Sequence, residues 1–203
     1  MIDLTGKAFC EFGLRGTGKS TLADLILESY NDKALYYDTV WEAPKDADFD
    51  IYRPKNRYSV FEFETVIRAI VPQNINQLPK YRLFIVDEAN RFCPSKPAHL
   101  PDAVADLNDQ CRHYLMTVGY IARRPSQLNQ DLTELADYLF IFKLTGKNDI
   151  TYLNNLVTNL GETVLSLGEY EFVIVYPDRT YSISQPVKPS ELWLNNAAKL
   201  IKR

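Results

Sequence analysis

Histidine and cysteine are scarce in this chain, and their spacing removes whole classes of chemistry. Of 203 residues, two are histidine and three are cysteine. Cys10, Cys93 and Cys111 are odd in number and share no Cys-x-x-Cys spacing, which argues against a disulfide framework and a cysteine zinc site and predicts ordinary reduced thiols. His99 and His113 lack metal-ligand spacing, so no histidine metal centre is expected. No apolar run approaches the ~20 residues needed to cross a bilayer. The N-terminus lacks a basic segment followed by an apolar run and a cleavage site, and the expectation is therefore a cytoplasmic protein that is not an integral membrane protein. Positive charge is not in surplus either: 23 Lys and Arg stand against 26 Asp and Glu, a net charge of -3. Any contact with nucleic acid would have to come from a local patch, or from several subunits converging on a pore. The length suits one α/β domain over residues 1–203, and no internal repeat or low-complexity tract divides it.

Glycine is also sparse, eight residues in all, yet Gly13, Gly16 and Gly18 fall inside one short segment. Gly13-Leu14-Arg15-Gly16-Thr17-Gly18-Lys19-Ser20 spells GxxxxGK(S/T) between a strand-like AFCEF and a helix-like TLADLILESY. A polyphosphate must be surrounded by backbone N–H groups at close range, and glycines allow the curvature and leave out the side chains that would obstruct it. Lys19 is expected against the β- and γ-phosphates, Ser20 on Mg²⁺ through its hydroxyl, and the helix that Thr21 opens aims its positive end at the anion. Nucleotide binding, with ATP and Mg²⁺, is the resulting expectation.

Strand and helix patterns alternate along the rest of the chain. Ala34 to Glu42 reads as a second buried strand and Asp48 to Pro54 as a short one. Ser59 to Val71 has helical periodicity, with Ser59 and Glu62 in the form of a capping box. Leu83 to Val86 is a continuous apolar run, as in a central strand buried on both faces. Pro94, Pro97 and Pro101 break up the next segment; Asp102 to Cys111 then reads as helix and Tyr114 to Ala122 as strand. Ser126 to Ala136 reads as a short helix, Asp137 to Leu144 as a strand and Asp149 to Leu160 as a helix. Gly168 to Tyr176 and Thr180 to Ser184 form a hairpin pattern around Pro177-Asp178, and Pro189 to Arg203 a terminal helix with a basic end. This order predicts an α/β fold with a doubly wound, mostly parallel sheet flanked by helices and closed by a β-hairpin.

The apolar run ends in Asp87 and Glu88. Two adjacent acids at a buried strand tip can divide the work of hydrolysis, Asp87 contacting the Mg²⁺ shell and Glu88 orienting and deprotonating the attacking water. With the phosphate loop upstream, both are expected on strand ends that converge on one nucleotide. Arg123 and Arg124 follow the strand LMTVGYIA and Arg112 precedes it. Either of the first two could sense the γ-phosphate, or all three could be solvated surface charges.

DEANRFCP (Asp87 to Pro94), RHYLMTVGYIARRPSQL (Arg112 to Leu128) and DYLFIFKLTGKNDI (Asp137 to Ile150), with LSLGEYEFVIVYPDRTYSISQPV, resemble the FtsK/HerA superfamily of DNA-pumping P-loop ATPases, whose fold is RecA-like. Without added domains, the chain looks most like the small genome-packaging ATPases of tailless DNA viruses. The resemblance implies an ATPase that drives double-stranded DNA into a preformed capsid as a homo-oligomeric ring, a pentamer or hexamer. It further implies host cytoplasm with association at the virion vertex, and capsid or membrane proteins as candidate partners. It makes Arg112 the expected arginine finger, reaching a neighbour's γ-phosphate in trans. Where the family's sensor is commonly glutamine this chain has Arg123; the arginine could sense phosphate by charge, or Gln127 could substitute. Rival readings are a filamentous-phage assembly or conjugation ATPase moving single-stranded DNA, a nucleotide-gated assembly factor with little hydrolysis, and a small-molecule kinase. Lys143, Lys147, Lys199, Lys202 and Arg203 are candidate DNA contacts.

Overall fold

A computed structural model describes residues 2–44, 46–74 and 77–189. The expected terminal helix, with Lys199, Lys202 and Arg203, falls outside the described residues apart from Pro189. Strands β1 (Ala8–Phe12), β2 (Ala34–Tyr37), β3 (Asp50–Tyr52), β4 (Leu83–Val86), β5 (Thr117–Ala122), β6 (Tyr138–Phe142), β7 (Phe172–Val175) and β8 (Tyr181–Ser184) alternate with helices α1 (Lys19–Tyr30), α2 (Val60–Ile70), α3 (Asp102–Gln110), α4 (Gln130–Leu135), α5 (Lys147–Leu156) and α6 (Leu160–Ser166). The strands make one sheet in the order β3-β2-β4-β5-β1-β6-β7-β8. The first six are parallel, and β7 and β8 join antiparallel as the expected hairpin.

The side-chain period of two along a strand sends alternate residues to opposite faces, and both faces of the central strands are covered. Phe9, Leu83, Ile85, Phe140 and Phe142 pack with Leu22, Ala23 and Leu27 of α1. Cys10, Phe12, Phe84, Val86 and Tyr120 pack on the other face with Phe63, Val104, Leu107, Leu132, Leu153 and Val164 from the remaining helices. Two-sided burial is why β4 reads as an unbroken apolar run. The three cysteines are free and buried, and burial pushes the Cys93 thiol up to about 12. No helix of the described residues is long and apolar enough to cross a membrane.

Several boundaries differ from those read off the sequence. β2 stops at Tyr37, because Asp38 turns the chain: its carboxylate accepts from the Glu42 and Ala43 N–H groups (both 3.1 Å) and from Arg53 Nε at 3.3 Å. β5 begins at Thr117, after Leu115 at φ +52° has interrupted the extended backbone. Only half of the capping box forms. Ser59 Oγ accepts from Glu62 N at 3.1 Å, a cap worth about 1 kcal/mol, whereas the Glu62 carboxylate accepts from Lys55 N and Asn56 N of the preceding turn. The helix expected over 126–136 is a 3₁₀ turn, Pro125–Gln127, followed by α4 under an Asn129 cap. The helix expected over 149–160 splits at Val157, which is extended, and Asn159, which is left-handed, and α6 follows.

Candidate functional site

Parallel strands deliver their C-terminal ends to a common edge of the sheet, and the residues singled out by motif collect there. β1 runs directly into the phosphate loop. A Cβ added to Gly13 would lie 2.6 Å from Thr17 Oγ1 and 2.7 Å from Phe142 Cβ, so no larger residue fits. Gly16 (φ +78°) and Gly18 (φ +106°) take the left-handed backbone that glycine adopts without strain. Leu14 and Arg15 are exposed at the loop's apex, and the Leu14 carbonyl draws the loop together by accepting from Thr17 Oγ1 at 2.8 Å and Lys19 Nζ at 2.9 Å. Ser20 is exposed in the first turn of α1, with Thr21 beside it.

Asp87 and Glu88 lie just past β4. The Asp87 N–H donates to Tyr37 O at 3.2 Å, and its carbonyl accepts from Thr39 Oγ1 at 2.7 Å. Glu88 takes φ +49°, which swings it off the strand line. The two motifs are not on adjacent strands: β5 separates β1 from β4. Arg123, the residue after β5, therefore stands between the loop and the acidic pair, and its Nε donates to Glu88 Oε1 at 2.7 Å. Arg124 goes elsewhere. On extended backbone, consecutive side chains leave in opposite directions, and Arg124 Nε meets the buried Asp149 Oδ2 at 2.8 Å while Ser126 Oγ donates to Asp149 Oδ1 at 2.6 Å. Arg112 is at the far edge of the sheet, before β5, where it pairs with Asp137 Oδ1 at 3.5 Å. A strand length, roughly 17–20 Å, separates it from its own phosphate loop.

Sequence reasoning passed over a set of acids behind this site. Glu11 lies inside β1, fully buried, and neither carboxylate oxygen has a hydrogen-bond partner. Burial raises its pKa well above the ordinary range, against the attraction of Lys19. Burial lifts Asp87 to about 7, with Glu88 adding to the shift, and lifts Asp24 to about 7, with Glu28 adding. Lys19 is lowered by burial, opposed by Glu11, Asp87 and Glu88. The signal for Glu11 was a single charged residue in AFCEF.

These residues fit a magnesium–polyphosphate ligand. The glycine cradle has no room for a Cβ at Gly13, and the Ser20 hydroxyl and Asp87 carboxylate are the hard oxygen donors that Mg²⁺ prefers. Among the described residues no three His, Cys, Asp or Glu side chains group to hold a metal by themselves.

No protein-family profile matches the sequence, and none of the curated protein sequences does. Solved structures do match. The genome packaging NTPase B204 from Sulfolobus turreted icosahedral virus 2, in complex with sulfate, superposes with a TM-score of 0.75 at 17% identity, covering 93% of this chain and 100% of that one. The same protein in complex with ATP-gammaS gives 0.71 at 16% identity, covering 90% and 98%. The DNA-packaging ATPase B204 from Sulfolobus turreted icosahedral virus gives 0.71 at 14% identity, covering 92% and 100%. With the glycine loop closing β1 and the acidic pair two strands away, this sheet order has the P-loop NTPase fold that those packaging proteins share.

Proposed function

We propose that this chain is an Mg²⁺-dependent ATPase motor that drives double-stranded DNA into a preformed viral capsid, working as one domain per subunit in a homo-oligomeric ring. The observation that carries the reading is the Arg123–Glu88 contact on the strand between the phosphate loop and the acidic pair. It ties the residue that would activate water to a cation beside the γ-phosphate position. Glu88 is the general base, oriented by Arg123, and Lys19 neutralises the β- and γ-phosphates. Mg²⁺, held by Ser20 and Asp87, supplies charge neutralisation and alignment of the phosphate oxygens. Arg123 also senses the γ-phosphate: loss of that group frees it to bond Glu88 alone.

Arg112 is exposed and too far from its own loop to act in cis, which supports a finger that completes a neighbour's site. Arg124, clamped on Asp149, fixes the segment after β5. The fold likeness to a protein described as a DNA-packaging ATPase, over 92% of this chain, supports DNA as the moved substrate; that the DNA is duplex and that the protein acts in the host cytoplasm at the virion vertex follow from the motif resemblance alone. The test is ATP hydrolysis with Mg²⁺, measured with and without duplex and single-stranded DNA over a range of protein concentrations. Expected is slow turnover alone that rises with concentration and with duplex. Turnover per subunit that ignores both sinks the ring motor, and a response confined to single strands reassigns the substrate.

A further inference from the structure

Lys19, Asp87, Glu88 and Arg123 fix the γ-phosphate end of a bound nucleotide on the β4–β5 side of the phosphate loop. A phosphate chain threaded along the loop then carries its ribose and base to the other flank, over β6 and β7. On that flank Gly16 and Thr17 share a cavity of about 270 Å³ with Lys143, Gly168, Tyr170 and Glu171. This volume approaches the lower end of ligand pockets, about 300 Å³, and suits a base with its sugar.

Its walls are preformed. Behind the loop Phe142 and Phe172, both buried, stack 5.0 Å apart, and a Cβ added to Gly18 would lie 3.1 Å from Phe142 Cε1. Lys143 Nζ donates to Leu167 O at 2.7 Å, and the Glu171 carboxylate accepts from Gly168 N at 2.8 Å and Gln185 Nε2 at 3.3 Å. These contacts hold the turn that carries Tyr170. Tyr170 takes φ +59°, a left-handed backbone unusual for a bulky residue. Its ring passes close to Gly18: a Cβ added there would lie 3.5 Å from Tyr170 Cδ1. Even so, Tyr170 remains 48% exposed. Backbone strain that sets a half-exposed aromatic against a ligand loop is characteristic of clamps.

We propose that Tyr170 is the platform on which the base of the nucleotide stacks, and that the site grips a purine by its face and does not read its edge. The proposal rests on the phosphate-loop reading above. Lys143 and Glu171 are tied into the turn by their hydrogen bonds and Thr17 Oγ1 donates to Leu14 O, so the wall's side chains serve mainly to hold the loop and the turn, with Tyr170 and Glu169 exposed between them. Stacking tolerates any base with a π-face, so adenine and guanine nucleotides should both enter.

The test is a fluorescence titration with ribose-labelled ATP and GTP, competed by unlabelled nucleotides and by inorganic triphosphate, on the parent, Tyr170→Ala and Tyr170→Phe. Expected is binding of ATP and GTP by the parent within a few-fold of each other, a loss of about tenfold for both in Tyr170→Ala, and recovery in Tyr170→Phe. Inorganic triphosphate should compete equally well in all three, which also reports that each is folded. If Tyr170→Ala binds both nucleotides like the parent, the base lies elsewhere and the proposal fails while the phosphate loop stands. A parent preference of a hundredfold for one purine would overturn face-only recognition. A parent that binds neither nucleotide nor triphosphate would overturn the phosphate-loop reading itself.

Discussion

The two flanks of the phosphate loop are built from opposite materials. Toward β4 and β5 stand Lys19, Asp87, Glu88 and Arg123, backed by Glu11, Asp24 and Asp38; toward β6 and β7 stand Phe142, Phe172 and Tyr170. The first flank is held against an electrostatic cost, since burial disfavours the charged forms of Asp87 and Lys19 alike. A polyphosphate and a divalent cation bring to each the opposite charge it needs. On the second flank Lys143 and Glu171 are tied by hydrogen bonds into the turn that carries Tyr170, whose half-exposed ring is the apolar face it presents. In the proposed function, chemistry at the γ-phosphate would depend on fixed charge and holding a base on shape, and the loop would separate the two tasks in space.

Substitutions on the charged flank should therefore act on rate, and in the proposed ring the largest effect belongs to Arg112, the proposed trans finger. Arg112→Ala should lose about 10³-fold or more in turnover with nucleotide affinity unchanged. Mixing it with Lys19→Ala should restore activity, because each inactive variant supplies what the other lacks; no recovery in the mixture would remove the trans finger. Glu88→Gln should lose roughly 10²- to 10⁴-fold in single-turnover hydrolysis while retaining bound ATP, since the amide oxygen can still accept from Arg123. Lys19→Ala should weaken binding of nucleotide and of inorganic triphosphate by about a hundredfold. Should Glu88→Gln weaken binding as much as Lys19→Ala, the charged flank would not be divided between grip and chemistry.

What the sequence made legible was local. The glycine spacing of the loop, the apolar run of β4 and the acids that end it depend on neighbours in the chain, and the structure carries each where its motif indicated. Strand order is non-local, so nothing in the sequence announced that β5 enters between β1 and β4. Nor could adjacent arginines be told apart: the alternation of an extended backbone gives Arg123 to Glu88 and Arg124 to Asp149. Gly146 makes room for that second pair, because a Cβ there would lie 2.5 Å from Arg124 Nη2. Gly161 lies just past the helix read over Asp149 to Leu160, and in the structure it falls in the first turn of α6. Its missing side chain lets α6 press on α5, where a Cβ would come 2.5 Å from Ile150 O. A tertiary contact explains each of these choices, and a single sequence does not print such contacts.

Arg124 sharpens the comparison from outside both flanks. Asp149 is 1% exposed, and Arg124→Ala would leave its carboxylate with Ser126 alone. Removing one partner of a buried pair costs about 3 kcal/mol or more; Arg124 is itself partly solvated, which brings the expectation nearer 2 kcal/mol. Thermal denaturation should show the midpoint falling by several degrees. An equal loss of stability in Arg123→Ala, whose side chain is 53% exposed, would contradict this division of the two arginines.

The smallest effect is the most selective between the flanks. Asp87 and Asp24 sit near 7 in the folded protein against ordinary values of 3.8. The folded state thus keeps protons that the unfolded chain releases between about pH 4 and 7. The stability linked to them is fully present below about pH 4 and is lost as pH rises through 7. Without nucleotide or magnesium, the melting midpoint should fall from pH 5.5 to pH 8, and Asp24→Asn or Asp87→Asn should each flatten the slope. Nucleotide with magnesium engages the ionised carboxylate, so its stabilising shift should be larger at pH 8 than at pH 5.5. Tyr170→Ala, on the apolar flank, should leave the slope of the free protein as it was. A change of slope in Tyr170→Ala equal to that in Asp87→Asn would mean that the two flanks are electrostatically one site.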